Sequence, residues 1–469
     1  MIRTLSVIVL PLLLVRCSPH RVIKNPKPPV SLPAQYGEKG AGSAAHSPTQ
    51  WWKSFGDEQL NKLVARGLGG NFQLRGAWAR LKQASAVLAQ TNAAKWPQLT
   101  LDGSASRSTS RVEIGDNEFT DTRNQFRLSA GAAYEVDLWR RLGSQGNAAM
   151  LDRMAVRDDV EAMATSVAAE ISETWFDIAS QRAQLKLLTA QLQTNQTLLE
   201  LVQLRFRQGL ASALDVHQQR QQLVSTRSRV ALVESALGAF GHRLTLLVGY
   251  ARAGTEVKPS EELPKLPPLP AIGVPADLLE RRPDVRAARR RVEAADYRVA
   301  AAVADRLPGL RLSGSTSLQD SKLSELIAMP LWSILAAVTA PLFDGGRRRA
   351  EVRRNQAIVE ERVANYGQVM LQAMTEVESA LVQERGQLSY IREVTQQVEI
   401  AKATLREAQA RYRAGLSDYL PVLSSLQALQ QAEITLLQAE RQVLSFRVQL
   451  CRALGGGWTR KLKPKEAAK

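Results

Sequence analysis

Apolar residues recur at a spacing of seven in two stretches of the chain. The spaced residues are Val216, Leu223, Val230, Leu237 and Leu244 in the first stretch, and Val422, Leu429, Leu436, Val443 and Leu450 in the second. Before the second stretch, apolar positions from Ile391 to Tyr412 alternate steps of three and four. Seven-residue periodicity on both sides of a short turn predicts an antiparallel coiled-coil hairpin.

The two stretches belong to an internal repeat. The segment RFRQGLASALDV begins at Arg205 and RYRAGLSDYLPV begins at Arg411, and their register holds without a gap to Gly249 and Gly455. Upstream, WPQLTLDGSAS pairs with LPGLRLSGSTS, and YEVDLWRR pairs with PLFDGGRR. A repeat of this length indicates two structural copies. We predict halves over about 50–250 and 275–455, joined by a proline-rich linker over 251–274 that cannot form a helix.

Each half is predicted to contain a helix, two strands, a long helix, a tight turn and a last helix. The long helices, over roughly 145–208 and 346–414, would each reach about 100 Å at 1.5 Å per residue. Gly209 and Gly415 stand where these helices should end. The predicted turns cover 209–215 and 415–421.

The predicted strands alternate apolar and polar side chains. Leu99 and Leu101 alternate with polar neighbours, and a similar alternation in three other segments predicts β-hairpins at about 97–138 and 308–344. Strands of about ten residues cross a bilayer when tilted, although a soluble hairpin with one wet face gives the same pattern. The long helices offer no compact partner for the apolar face, which favours lipid. A membrane sheet must close, so several chains would have to contribute four strands each, and eight, twelve or sixteen strands all satisfy closure.

The N-terminus has the shape of an export signal. An apolar run from Leu5 to Val15 follows one early positive charge, and it is too short to span a bilayer. Cys17 follows directly, as the lipidated cysteine of a bacterial lipoprotein does, although Arg16 replaces the small residue usual before it. We expect a signal segment with lipidation over 1–17, an extended tether over 18–49 and a tail over 456–469.

The composition brings no sign of catalysis. The chain has 469 residues and a net charge of +17, which would suit nucleic acid or an anionic membrane, but no short basic block with aromatics occurs. Arginine spread over solvated helix faces explains the charge more simply. The histidines have no metal-ligand spacing, and no phosphate loop or nucleophile elbow is present. We therefore predict no enzyme, no cofactor and no metal site.

Three stretches carry a family resemblance: WWKSFGDEQLNKLVARGLGGN, VPADLLERRPDVRAARRRVEAAD from Val274, and APLFDGGRRRAEV from Ala340. With them the chain resembles the TolC-like outer membrane efflux proteins, and more narrowly the NodT-type lipoprotein branch that serves resistance–nodulation–division pumps. The resemblance implies a mainly α protein with a transmembrane β part. Three chains would form a twelve-stranded outer membrane β-barrel continuous with a periplasmic α-helical coiled-coil barrel. Trp51 and Trp52 would pack in a belt outside the helices.

The same resemblance assigns roles to the copied turns. It implies a passive exit duct for small molecules, opened when a periplasmic adaptor and an inner-membrane pump dock at the turns. The implied gate residues are Asp215, Tyr412 and Asp418, with Asp215 hydrogen-bonded to Tyr412. The implied adaptor contacts are Arg207, Gly209, Leu210, Arg413, Gly415 and Leu416. Both aspartates could instead cap helices. Ser417 stands where one branch has a gate arginine, and Pro421 and Ser424 stand where an aspartate ring is common.

Other interpretations of the chain stay open from the sequence. It could be the outer membrane duct of an ATP-driven type I secretion system, a periplasmic coiled-coil scaffold without membrane strands, or a basic coiled coil that binds nucleic acid. An adaptor should have one central hairpin, whereas this chain has two copies. A nucleic-acid binder should not carry an export signal. The alternating strands together with the signal favour the duct, but the transported substrate and the identity of the pump are not encoded in any motif.

Overall fold

The computed structural model describes residues 18–37, 50–114, 117–249, 262–327 and 330–463. The predicted signal segment and Cys17 lie outside the described residues, as do parts of the tether, the linker and the tail.

The structure is mainly helical with four strands. The elements of the first half are α1 (Glu58–Gly70), α2 (Phe72–Ala93), β1 (Gln98–Ile114), β2 (Asn117–Val136), α3 (Arg141–Arg207) and α4 (Ala213–Val248). Those of the second half are α5 (Leu278–Arg281), α6 (Pro283–Ala304), β3 (Gly309–Asp320), β4 (Leu331–Thr339), α7 (Arg347–Arg413) and α8 (Leu420–Leu454). The long helices α3 and α7 have 67 residues each. The order of helices and strands is thus the same in both halves.

The chain divides into two units. The first contains the N-terminal segment up to Pro29 together with Leu81–Val156 and Ala287–Tyr366, and therefore all four strands. The second contains Val30–Arg80, Arg157–Arg286 and Gly367–Lys469, and therefore both helical hairpins.

The four strands form one antiparallel sheet in the order β1-β2-β3-β4. The register places most of the large apolar side chains on one face, since alternate residues of a strand point to opposite faces. That apolar face carries Leu99, Leu101, Phe126, Leu128, Tyr134, Val136, Leu310, Leu312, Trp332, Ile334 and Val338. The opposite face carries Gln98, Thr100, Asp102, Ser104, Arg127, Ser129, Glu135, Arg311, Ser313, Ser315 and Ser317.

The apolar face is not covered by other parts of this unit. Leu99 is 80% exposed, Trp332 is 77% exposed and Ile334 is 83% exposed. Leu331 and Leu335 stand on the otherwise polar face, which is why the alternation of β4 is blurred in the sequence. An exposed apolar sheet face of this size is a surface that requires another partner.

In the second unit, the seven-residue spacing marks the contact side of both hairpins. Leu223, Leu244, Val422, Val443 and Leu450 are buried, and the other residues of the two series are half-buried. One core cluster, formed by α3, α7 and α8, contains Leu198, Val202, Leu405, Ala408, Tyr412, Tyr419, Val422, Leu423 and Leu426. A second cluster contains Leu188, Val233 and Ile434. The coiled-coil periodicity therefore corresponds to real burial.

Buried arginines hold the second unit together away from the turns. Arg286 contacts Asp158 at 2.8 Å and Glu161 at 2.5 Å, and Arg447 contacts Glu384 at 2.5 Å. The side chains of all these residues are at most 5% exposed. Removing one member of such a buried pair leaves an uncompensated charge and is strongly destabilising.

An aromatic cluster lies in the same unit. The rings of Trp52 and Trp458 meet edge to face at 4.8 Å, Trp51 packs against Trp52, and Phe55 packs against Phe176 at 4.9 Å. Trp51 and Trp52 are each only 3% exposed.

Among the described residues, α4 alone has the length and composition to cross a membrane, a criterion that a core helix can also meet. Its Gln219, Gln222 and Thr226 are buried in contacts with other helices of the second unit. We therefore assign α4 to helix packing.

Candidate functional site

The two copied turns end their helices in the same way. Gly209 and Gly415 both have φ of +73°, a left-handed conformation that glycine adopts without strain. The amide of Leu210 donates to the carbonyl of Arg205 at 2.8 Å, and the amide of Leu416 donates to that of Arg411 at 2.9 Å. These bonds between residues five positions apart complete a glycine-based cap on α3 and α7. We use the name hairpin tips for residues 205–216 and 411–422.

The helices that follow the two turns begin differently. At the start of α4, Ser212 and Asp215 form a capping box: the Asp215 amide donates to Ser212 Oγ at 3.2 Å, and the Ser212 amide donates to Asp215 Oδ2 at 2.9 Å. At the start of α8, Pro421 replaces the aspartate, and no side chain caps the helix. The capping alternative considered for Asp215 is therefore real, because its carboxylate satisfies a free backbone amide.

Tyr412 is buried at the centre of the tips. Arg205 stacks on its ring at 4.4 Å and donates from Nη1 to its carbonyl oxygen at 3.0 Å. The Tyr419 ring meets the Tyr412 ring at 5.3 Å in an edge-on arrangement. Cation–π and edge-on aromatic contacts each add roughly 0.5–1.5 kcal/mol beyond burial.

The Tyr412 hydroxyl has no hydrogen-bond partner among the described residues, although it is buried. Burial raises the pKa of this phenol; Arg205 lowers it, and the nearby carboxylate of Asp215 raises it further. The hydrogen bond expected between Asp215 and Tyr412 is not formed within this single chain. Asp215 is close enough to influence the phenol, and an unsatisfied buried hydroxyl costs about 1–3 kcal/mol.

A layer of buried polar side chains lies directly behind the tips. The Tyr419 hydroxyl donates to Gln219 Oε1 at 2.6 Å, and Gln219 Nε2 donates to the carbonyl of Asn195 at 2.8 Å. Asn195 Nδ2 donates to Thr226 at 2.8 Å, while its Oδ1 accepts from Gln430 at 3.0 Å. Such a network fixes the register of packed helices when its members are satisfied.

This polar layer was not predicted from the sequence. Gln219 and Thr226 each follow an apolar member of the seven-residue series, Val216 and Leu223, by three residues. Residues three positions after the first core position of a heptad occupy its second core position. Polar residues at these two core positions were therefore the sequence signal for a buried polar layer. Tyr419, one residue after Asp418, was also missed and is 1% exposed.

The predicted docking residues lie on the surface of the tips. Arg207, Gly209, Arg413 and Gly415 are exposed. Leu210 is 62% exposed and Leu416 is 78% exposed. Two further leucines at equivalent positions, Leu214 and Leu420, are 63% and 60% exposed. Each tip thus presents two bare leucines beside an arginine, which is a small apolar patch with a positive rim.

Asp418 is exposed and makes no side-chain hydrogen bond to a described residue. It therefore does not cap α8, and its carboxylate is available to solvent. Over the part of the chain that the structure describes, no group of three or more His, Cys, Asp or Glu side chains could hold a metal ion.

Comparison with known proteins finds one family. The family described as "Outer membrane efflux protein" matches residues 63–250 and again 274–456, once in each half of the repeat. A pyoverdine export outer membrane protein, OpmQ of Pseudomonas putida, is 29% identical over 97% of this chain and 98% of its own length. Its namesake from Pseudomonas aeruginosa is 30% identical over 92% of both chains. The cation efflux system protein CusC of Escherichia coli O6:H1 is 27% identical over 95% of this chain and 97% of its own.

Solved structures agree with these relatives. The outer-membrane channel OprN superimposes with a TM-score of 0.87 at 27% identity, covering 94% of this chain and all of its own. CusC superimposes with a TM-score of 0.85, also at 27% identity and 94% coverage of this chain. The relatives are channel proteins, not enzymes.

Proposed function

This chain belongs to the outer membrane efflux protein family, and from that membership we propose that it is the exit-duct subunit of a tripartite pump. The family resemblance predicted from the sequence is confirmed, as is the mainly helical fold with a small strand part. The protein is an efflux channel protein of the outer membrane that extends into the periplasm. The proposal adds a closed homotrimer, a periplasmic adaptor, and an inner-membrane resistance–nodulation–division pump.

The two-faced sheet is the observation that carries the proposal. Its apolar face is exposed, which suits lipid, and its polar face is lined with serine, threonine and charged residues, which suits a water-filled lumen. β1 and β4 are the two edges of the sheet and each pairs with one neighbour. Unpaired edges are not tolerated in hydrocarbon. We infer that the edge strands of three chains pair with each other to close twelve strands.

We propose that the tips hold the periplasmic end shut. Asp215 and Tyr412 would form a hydrogen bond when neighbouring hairpins are arranged around the closed tube, and Asp418 would add an exposed carboxylate ring. The unsatisfied Tyr412 hydroxyl and the adjacent Asp215 charge support this assignment. A bond of this kind contributes roughly 1 kcal/mol, so a docked partner could open it.

We propose that the adaptor docks on the exposed leucines and arginines of the tips. The patch combines Leu210, Leu416, Arg207 and Arg413 around turns set by Gly209 and Gly415. Small apolar patches bordered by charge are common in transient interfaces. The proposed function as an exit duct agrees with the names of the relatives, but their cargoes are properties of those proteins.

We also propose Cys17 as a site of lipidation. Metabolic labelling with a palmitate analogue should mark the native protein and not a Cys17→Ala variant. Equal labelling of the two would reject Cys17 as the anchor.

Affinity purification of the detergent-extracted native protein tests the pump assignment. Mass spectrometry should find a periplasmic adaptor together with a proton-driven inner-membrane pump. The same purification of the double variant Leu210→Ser with Leu416→Ser should recover neither partner, although the variant should still reach the outer membrane. Recovery of an ATP-driven secretion complex instead would contradict the pump class, and unchanged recovery by the variant would contradict the docking surface.

A further inference from the structure

A cavity of about 780 Å³ opens in the first unit, between the N-terminal segment and the start of α3. Its lining includes Arg21, Lys24, Arg140, Ser144, Asn147 and Tyr297. The cavity is distant in sequence from the tips and from every residue assigned to the gate or to docking. Its volume is that of a small-molecule site.

The N-terminal segment is fixed along α6 by hydrogen bonds. His20 Nε2 lies 2.8 Å from Asp296 Oδ1, and the amide of Ile23 donates to Asp296 Oδ2 at 2.6 Å. The amide of Asn25 donates to Glu293 at 3.1 Å. Asp296 is 4% exposed, so it is a buried anchor for this segment. The order of these contacts directs Ser18 toward the C-terminal end of α6, the end that leads into β3.

Three cations that border the cavity have no side-chain partner among the described residues. No side-chain hydrogen bond or ion pair joins Arg21, Lys24 or Arg140 to a described residue. By contrast, Arg141 donates two hydrogen bonds to Glu135 Oε1, at 2.7 and 3.0 Å, and a third to Oε2 at 2.8 Å. Three cations that are unpaired within the described part of the chain, together with neutral donors on Ser144, Asn147 and Tyr297, form a site complementary to a phosphate group.

Aromatic residues mark the end of the sheet at which the cavity lies. Trp96 precedes β1, Trp139 follows β2, and Phe343 follows β4, so all three lie at the same end of the sheet. Trp96 is 73% exposed, Phe343 is 93% exposed, and the Trp139 indole donates to the carbonyl of Pro308 at 2.8 Å. Aromatic residues flank the apolar band of membrane barrels at the headgroup level. Arg140 directly follows Trp139 and is therefore at that level.

We propose that this cavity binds the phosphate of an anionic phospholipid headgroup. The phosphodiester would be held by Arg21, Lys24 and Arg140, and hydroxyls of the headgroup would bond to Ser144 and Asn147. Ile23, which is 54% exposed and also lines the cavity, offers an apolar contact to the first part of an acyl chain. The bound lipid would join the N-terminal segment to α3. The inference rests on the outer membrane location of the family and not on the gate or the adaptor.

Native mass spectrometry of the full-length assembly, purified in detergent, tests this site. Phosphatidylglycerol should bind more tightly than phosphatidylcholine. The double variant Arg21→Gln with Arg140→Gln should lower the affinity for phosphatidylglycerol about tenfold, as expected for the loss of charge-assisted hydrogen bonds. The matched control is Lys82→Gln with Arg353→Gln, which removes the same charge from exposed positions of the same unit. Size-exclusion chromatography establishes that each variant is assembled before lipid is added.

A third arm adds inorganic phosphate alone. Weak competition at millimolar concentration supports a lipid site, because free phosphate lacks the acyl contact. Complete displacement of the lipid by millimolar phosphate would contradict the lipid assignment. Equal affinities for the two lipids, or equal losses in the double variant and its control, would overturn the proposal.

Discussion

At the scale of single residues, the two copies of the repeat differ around Tyr412. Its counterpart in the first copy, 206 positions earlier, is Phe206, which is 47% exposed, whereas Tyr412 is 4% exposed. Arg205 stacks on Tyr412, but its counterpart Arg411 is exposed and pairs with Glu407 at 2.8 Å. The two hairpins contact each other with different members of the repeat, so the same sequence motif supplies a buried residue in one copy and a surface residue in the other.

The gate proposal predicts leakage when both partners are changed. Asp215→Asn combined with Tyr412→Phe removes the carboxylate and the hydroxyl while leaving most of the side-chain volume. Intact cells should become several-fold more sensitive to large antibiotics, measured by growth inhibition after outer membrane assembly has been verified.

A capping control separates the gate from helix stability. Ser212→Ala removes the hydroxyl of the capping box and should cost about 1 kcal/mol of helix stability. It leaves Asp215 and Tyr412 in place, so sensitivity should stay at the wild-type value. If Ser212→Ala sensitises cells as strongly as the double variant, the role of Asp215 is capping and the gate assignment fails.

Cys451 should be inert in the folded protein. It is 6% exposed, and burial raises the pKa of its thiol to about 12, with Arg447 lowering it and Glu384 raising it. Because the thiolate is the reactive form, maleimide at pH 8 should label Cys451 only after denaturation. Peptide mass spectrometry measures the labelled fraction, and substantial labelling of the native protein would contradict the burial.

At the scale of elements, the turns could be predicted directly from the local sequence. Gly209 and Gly415 follow long heptad helices, and their φ of +73° is the conformation for which glycine is selected. The polar layer was not readable in the same way, because Asn195, Gln219 and Gln430 come from three helices that meet only in the folded unit. Local sequence patterns show the hydrophobic periodicity and the turn residues. A hydrogen-bond network depends instead on which helix faces pack together in the folded protein.

Alanine at the turn glycines should loosen the tips. Gly209→Ala or Gly415→Ala forces a side chain into a left-handed conformation, which costs about 1 kcal/mol or somewhat more. Amide hydrogen exchange in the last turn of α3 or α7 should accelerate about fivefold in the intact assembly. Gly386→Ala is the control: it is exposed within α7, a new Cβ would meet nothing within 4 Å, and exchange should slow slightly. Equal exchange at the tips in all three variants would argue against the strain at the turns.

At the scale of the whole molecule, the sequence predicted that one chain is incomplete. The alternation of Leu99 and Leu101 with polar neighbours indicated an amphipathic sheet, and the register of the four strands places most of its large apolar residues on one face. The number of chains could not be derived from the residues, because eight, twelve and sixteen strands are all physically closed sheets. That choice depends on curvature between chains, which a single sequence does not contain.

Cross-linking at the sheet edges tests closure. Ser104→Cys in β1 with Ser333→Cys in β4, treated with a flexible bis-maleimide, should give dimers and trimers on a denaturing gel. Ser129→Cys with Ser317→Cys is the control, because these residues face each other in β2 and β3 of one chain and should link internally. The native Cys451 is buried and should not interfere. Only monomers from the edge pair would exclude pairing between chains.

The different N-terminal caps of α4 and α8 have a consequence for any partner that binds the hairpin tips. A ring of three chains would display six hairpins of two alternating kinds, three with the Ser212–Asp215 box and three with Pro421 and no cap. Six identical ligand subunits arranged around that ring could not all make the same contacts. Three of these subunits would bind one kind of hairpin and three the other. The order in which the two sets bind would then determine how the periplasmic end of the duct opens.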